Sequence, residues 1–302
     1  MPSFYSHGKL LITAEYLILD NAMALAIPTK KGQSLSITKT DTTTLVWESV
    51  LHDTSLWFKT EINLPIKNTI HSNDPITQKL YEILIAAQEL NSNFLQTTEG
   101  YKAVSTLEFP RNWGLGSSST LITNIAQWAQ VNPYELLKKT FGGSGYDIAC
   151  ATTNTPITYI RNKVTPSINP VTFDPSFKDQ LFFVHLNRKQ NSRDSISHYR
   201  NLSTAEREAQ VRAFTTFTEA IIASQNMLSE FEALIKDHEL TLSKIVQTPT
   251  IKTQLFPDYP KAIKSLGGWG GDFILVVGTS QEMNYFKEKG YTTIIPFSEM
   301  VL

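Results

Sequence analysis

The segment Trp113-Gly114-Leu115-Gly116-Ser117-Ser118-Ser119 constrains this chain more than any other. It follows a β-branched and apolar run, Val104–Phe109, and precedes apolar residues at helical spacing: Leu121, Ile122, Ile125, Ala126 and Ala129. The chain must therefore pass from a strand through a tight glycine turn into a helix. A helix start presents unpaired N–H groups and a partial positive charge, and Gly114 and Gly116 let a ligand approach the backbone. Such a turn can hold phosphate, with Ser117, Ser118 and Ser119 adding hydroxyls for phosphate oxygens or Mg²⁺. A serine cap on an ordinary helix is the structural alternative. A Walker A loop is excluded because no Gly-Lys-Ser/Thr ends the segment. The dinucleotide fingerprint is excluded because Ser119 stands where its third glycine belongs.

Around this turn the chain reads as strands and helices in irregular order. Lys9–Leu19 and Ala22–Ile37 read as strands, and Leu45–Val50 pairs with Leu56–Thr60 as a hairpin across His52, Asp53 and Thr54. Asp74 and Pro75 start a helix with Leu80, Ile83, Leu84 and Ala87 on one face. Further strands are expected at Ile157–Ile160, Leu181–Leu186, Phe273–Val277 and Tyr291–Pro296. Ser203 and Glu206 form a capping box for one long helix that turns Phe214, Phe217, Ile221, Leu228 and Phe231 inward. This order indicates an α+β fold rather than a doubly wound parallel sheet. Prolines and polar residues at Thr165–Asp174 place a lobe boundary there, giving lobes 1–168 and 169–302.

Composition narrows the function classes. The 302 residues are 41% apolar and carry a formal charge of −1, so no broad positive field is available for nucleic acid or an anionic membrane. Cys150 is the only cysteine, which excludes an intrachain disulfide framework and a multi-thiolate metal site and fits a reducing cytosol. No signal peptide or span of membrane length is expected. The chain reads as a cytoplasmic enzyme or binding protein for small molecules.

Two more glycine-rich segments carry candidate chemistry. Gly142-Gly143-Ser144-Gly145-Tyr146-Asp147 places a carboxylate after a flexible turn, where it can take or orient a hydroxyl proton or close an Asx turn. Lys264-Ser265-Leu266-Gly267-Gly268-Trp269-Gly270-Gly271-Asp272 can bring backbone close to a substrate or serve as a tight loop before a buried strand. Lys9 offers a cation to a transferring phosphoryl group or ends a strand in solvent. A serine hydrolase built on Ser118 is disfavoured, since Gly-x-Ser-x-Gly is absent.

Taken in order, these segments resemble the GHMP kinase superfamily. His7-Gly8-Lys9-Leu10-Leu11-Ile12-Thr13-Ala14-Glu15-Tyr16 is similar to its first motif, Asn112–Thr120 to its phosphate loop, and Lys264–Asp272 to its third motif. Ser144-Gly145-Tyr146-Asp147 is similar to the segment carrying the catalytic aspartate in mevalonate-pathway members, and with Tyr159 and Arg161 the likeness leans to phosphomevalonate kinases. The resemblance implies a ribosomal-protein-S5-like N-terminal lobe and a ferredoxin-like C-terminal lobe, with ATP and acceptor meeting between them. It implies ATP and Mg²⁺ as cofactors and a small acidic acceptor, mevalonate or phosphomevalonate; a homodimer is compatible with it.

Carried over by position, Asp147 readies the acceptor, Lys9 stands beside it, and Trp113, Gly114, Leu115, Gly116, Ser117, Ser118 and Ser119 hold the nucleotide phosphates. Glu15, Tyr16, Ser144, Gly145, Gly267, Gly268, Gly270 and Gly271 face the acceptor. Ser118 binds metal, with Glu135 as a second ligand one position out of register. Arg188 and Lys189, followed by Ser192, can add charge for an acidic substrate or simply lie in a solvated loop. Departures from the family pattern are His7 for proline, Ala14 for glycine, Leu266 for a small residue, and Trp269 in a stretch normally glycine and alanine. These leave open a kinase for another small alcohol, such as a sugar or amino-acid alcohol, or a nucleotide-binding protein without turnover.

Overall fold

The structure is a computed structural model that describes residues 2–67, 72–162, 164–188, 193–267, 269 and 271–302. Contacts divide the chain into two compact units: Met1–Gly8, Lys31–Arg111 and Leu115–Thr152 form one, and Lys9–Lys30, Asn112–Gly114 and Thr153–Leu302 the other. The division is discontinuous in sequence, whereas one boundary near residue 168 was expected. Long-range strand pairing is the reason: Ala24–Ala26 pair with Ile157–Tyr159, which joins an early piece of chain to a late one.

Strands β1 (Ser3–Leu11) and β2 (Ala24–Thr40) contribute residues to both units. The first unit adds β3 (Thr44–Val50), β4 (Leu56–Asn63), α1 (Pro75–Leu90), β5 (Gly100–Leu107), α2 (Ser117–Ala129), α3 (Pro133–Thr140) and α4 (Tyr146–Ala151). Its sheet runs β4-β3-β5-β2, with β3 antiparallel to β4 and parallel to β5. The expected hairpin is present: Trp47 faces Thr60, and Thr54 in the turn takes a left-handed φ of 67°. Asp74 caps α1, accepting from the N–H of Thr77 at 3.0 Å. Leu80, Ile83, Leu84 and Ala87 then pack with Leu35, Trp47, Ile62 and Ile125 in one buried core. Removing this much apolar surface from water is what holds helices to sheet.

The second unit carries β6 (Ile157–Ile160), β7 (Ser167–Pro170), β8 (Leu181–His185), α5 (Arg193–Arg200), α6 (Thr204–Ala223), α7 (Leu228–Val246), α8 (Ile251–Leu255), β9 (Ile263–Ser265), β10 (Phe273–Val277), α9 (Asn284–Glu288), β11 (Ile294–Pro296) and α10 (Phe297–Met300). A four-stranded sheet, β11-β8-β10-β9, is antiparallel throughout. Strand β10 reads Phe-Ile-Leu-Val-Val and is buried along its whole length. The capping box closes α6, with Ser203 and Glu206 bonded to each other's backbone N–H. The one long helix expected here is two: α6 stops before Ser224, and Leu228 and Phe231 open α7. Ser224 is fully buried and its hydroxyl bonds the Ile221 carbonyl at 2.9 Å, a side-chain bond that competes with the helix ladder.

The strand expected over Lys9–Leu19 ends at Leu11. Ala14 and Tyr16 take left-handed φ values of 63° and 65°, and Leu17–Asp20 is a turn of 3-10 helix. The chain bends because Glu15 must reach a partner far along the sequence, described below. No helix among the described residues is long and apolar enough to cross a membrane.

Candidate active site

In the first unit the glycine-serine turn ends at Gly116, which has a left-handed φ of 88° and directly precedes α2. Among the described residues four helices are capped by their own polar side chains: α1 by Asp74, α3 by Asn132, α6 by Ser203 and α8 by Thr250. Helix α2 has no side-chain cap. Its first N–H groups therefore keep their hydrogen-bonding capacity for something outside the helix. Leu115 is buried, Ser119 nearly so, and Ser118 exposed.

Buried hydrogen bonds fix the helix start in place. The Asn124 amide donates to the Gln33 carbonyl at 2.9 Å and accepts the Ser6 hydroxyl at 2.7 Å. The Thr120 hydroxyl donates to the Gln33 side-chain oxygen, while Gln33 Nε2 donates to Ser105 at 2.7 Å. These side chains tie α2 to β1, β2 and β5, so the free N–H groups are held on rigid elements.

A cavity of about 290 Å³ opens beside this turn within the same unit, and Ser117 and Ser118 form part of its wall. Its aromatic lining comes from Trp47, Trp57, Phe58 and Phe141. Arg111 also lines it and lies over the Trp57 ring, 3.7 Å from the centroid. The Trp47 indole N–H donates to Ser49 at 3.1 Å, which leaves its ring face for packing. An apolar, aromatic pocket with a few polar groups at one end is the usual form of a small-molecule site.

Asp147 lies in the first turn of α4, which starts at Gly145 with φ of 88° and no side-chain cap. It is half-buried, as is Ser144, while Gly145 is buried. Glu135 is exposed in the first turn of α3, where its charge favours the helix dipole. Among the described residues no group of three or more His, Cys, Asp or Glu is arranged to hold a metal. Mg²⁺ bound with a nucleotide needs only one or two protein ligands besides phosphate oxygens, so the exposed hydroxyl of Ser118 at the helix start remains a suitable donor.

The second unit holds the rest of the expected site. Asn112–Gly114 lies against its four-stranded sheet: the Asn112 carbonyl bonds His185 Nε2 at 3.1 Å, and Trp113 meets Phe273 edge-on at 5.4 Å. A Cβ on Gly114 would fall 2.4 Å from the Asp272 carboxylate, and the residue's φ is +67°. Only glycine fits there. Lys9 is half-buried on β1. Gly267 has φ of +71° and Gly271 is buried. Gly268, Gly270, Lys189 and Ser192 lie outside the described residues.

Glu15 and Tyr16, expected to face an acceptor, are buried and engaged within this unit. Glu15 Oε1 accepts from the Lys264 ammonium at 2.6 Å. The Tyr16 hydroxyl accepts the Trp269 N–H at 2.9 Å, and the Trp269 indole donates to the Pro249 carbonyl at 3.3 Å. The first and third motifs are thus bonded to each other. His238 and Glu239 on α7 complete the cluster: Glu239 lies 3.4 Å from Lys264, and His238 3.5 Å from Glu15. Burial raises the Glu15 carboxyl, against the pull of Lys264, and raises Glu239 to about 7. Burial, with Lys264 adding to it, holds His238 well below its ordinary value.

Sequence reasoning missed both the aromatic cavity and the α7 pair. Trp47, Trp57 and Arg111 are brought together by strand pairing that no local spacing encodes. His238 and Glu239 sit next to each other in a helix rich in charge, where solvent exposure is the ordinary expectation.

No protein-family model and no curated protein matches the chain in sequence. Solved structures match it along nearly its full length. A mevalonate kinase superimposes with a TM-score of 0.71 at 15% identity, covering 97% of both chains. The Streptococcus pneumoniae phosphomevalonate kinase in complex with phosphomevalonate and AMPPNP gives 0.67 at 16%, covering 96% of each. The Lactococcus lactis galactokinase complexed with galactose gives 0.68 at 12%, covering 95% of this chain and 87% of that one. The neighbours share one architecture, and the mixed α+β chain described here has the fold of the GHMP kinases.

Proposed function

We propose that the chain is an ATP-dependent phosphotransferase whose acceptor is a small acidic alcohol or phosphate, with mevalonate and phosphomevalonate the first candidates. The observation that carries the reading is that Ser117 and Ser118 belong at once to the uncapped start of α2 and to the wall of the aromatic cavity. A nucleotide needs just these two environments side by side: N–H donors for its phosphates and aromatic faces for its base. Full-length likeness to kinases whose names include mevalonate, phosphomevalonate and galactose supports the reaction class.

In this reading the backbone N–H groups of residues 116–119 bind phosphate oxygens and stabilise charge on the group in flight. Asp147 orients the acceptor oxygen or accepts its proton, and Lys9 supplies positive charge. Mg²⁺ would be held by phosphate oxygens and the Ser118 hydroxyl and would supply further charge neutralisation; Glu135 has a sufficient structural role on α3. Most of the rate enhancement then comes from position and electrostatics rather than covalent chemistry.

A second reading, nucleotide binding without turnover, is favoured by one observation: Trp269 is buried and anchored where the family pattern has glycine or alanine. A coupled ADP-release assay with mevalonate, phosphomevalonate, galactose and homoserine separates the two. Release that depends on mevalonate or phosphomevalonate supports the first. ATP binding with no acceptor-dependent release overturns it.

A further inference from the structure

Buried polar groups find partners in native proteins, and exceptions ask for a cause. In the second unit four exceptions fall in one place: Glu15 Oε2, His238 Nδ1, Glu239 Oε2 and Ser265 Oγ are buried without a hydrogen-bond partner. They surround Lys264, whose side chain is fully buried and whose ammonium also donates to the Ser265 carbonyl at 3.1 Å.

The charges do not balance if every acid is ionised. One ammonium faces two carboxylates that are at most 4% exposed, and an uncompensated charge in such a place is costly. His238 does not supply the missing positive charge. Its Nε2 accepts the Ala14 N–H at 3.3 Å, and the rings of Phe214 and Phe217 on α6 pack against it at 4.7 and 5.7 Å. From helix α6 the Thr218 hydroxyl is bonded to Thr13 at 2.7 Å. The neutralising proton must therefore sit on a carboxylate. Glu239 is the one further from the ammonium, at 3.4 Å against 2.6 Å for Glu15.

We infer that Glu239 is a neutral carboxylic acid in the folded protein and that, with Lys264 and Glu15, it is a positioning residue for the chain around Trp269. The elements joined are telling. Lys264 and Ser265 end β9 and open the third motif; Glu15 lies in the bend of the first motif, next to Tyr16, whose hydroxyl accepts the Trp269 N–H. Loss of the proton puts a second negative charge beside Glu15 and loosens both motifs together. That these motifs face the acceptor rests on the functional reading above; the proton and its structural effect do not.

The sign of the pH dependence follows from the shifts. Glu239 is raised from 4.5 to about 7, so the stability it contributes is fully present below 4.5 and is lost as pH rises through about 7. His238, lowered by burial, works the opposite way below 6.5. A comparison of wild type with Glu239→Gln cancels the histidine and isolates the acid. Amide hydrogen exchange of residues 264–267, corrected for intrinsic rate, is the readout. The ratio of wild-type to variant protection is expected to fall up to about tenfold per pH unit between pH 5 and 7 and to level off above. A ratio independent of pH overturns the inference.

Should the variant not fold, wild-type protein with ¹³C-labelled glutamate side chains suffices. One carboxyl titrating near neutrality supports the proton, and none doing so overturns it. The acceptor reading is tested separately by the KM for the acceptor and kcat at pH 6 and 8. A KM that rises with pH in wild type and not in Glu239→Gln supports it. A pH-dependent exchange ratio with no change in KM leaves the proton in place and removes the acceptor role.

Discussion

The start of α2 and the cluster around Lys264 leave polar groups unsatisfied in opposite ways. At α2 the unused donors are backbone N–H groups beside an open aromatic cavity, where water or a ligand can pair with them at little cost. Around Lys264 the unused groups are side-chain polar atoms sealed from water, and the excess carboxylate charge among them is relieved by a proton. The difference is between polarity kept for a partner and polarity kept for internal order, and substitutions should divide along that line into losses of function and losses of stability.

The largest effect is expected on the open side. Asp147→Asn should lower turnover by about 10²–10⁴-fold, the usual worth of a positioned acid or base, with ATP affinity and unfolding midpoint nearly unchanged. Steady-state kinetics and an ATP titration check it; near-normal turnover would break the comparison. On the sealed side, Lys264→Met leaves two buried carboxyls without their cation and should cost about 3–5 kcal/mol in denaturant unfolding. Adding Glu15→Gln should recover part of that, since the two residues are in contact and their effects are coupled. The smallest effect belongs to a helix start that is already closed. Ser203→Ala removes the α6 cap and should cost about 1 kcal/mol, leaving nucleotide affinity where it was.

Local signals made much of the first unit legible. The Leu45–Val50 hairpin, the Asp74 cap and the passage from glycine turn to α2 depend on neighbours in sequence, and the residues themselves state them. The capping box at Ser203 was legible for the same reason. The bend at Ala14–Tyr16 was not, because its cause is Lys264, 249 positions from Glu15. The apolar run alone reads as a strand. The break between α6 and α7 was hidden by a buried serine within a continuous apolar stripe. Site residues divide the same way: the serines of the turn announce themselves, whereas Trp57 and Arg111 meet only after β3, β4 and β5 have paired, and Glu239 reads as one more charge on a polar helix.

Placement of the nucleotide base in the aromatic cavity beside α2 is the claim on which the functional account turns. Photolabelling with 8-azido-ATP followed by peptide mapping tests it most directly. The account predicts ATP-protectable label on residues 47–58 or 75–83, which supply Trp47, Trp57, Phe58, Ile76 and Leu80 to the cavity wall. Protectable label confined to peptides elsewhere in the chain would contradict it.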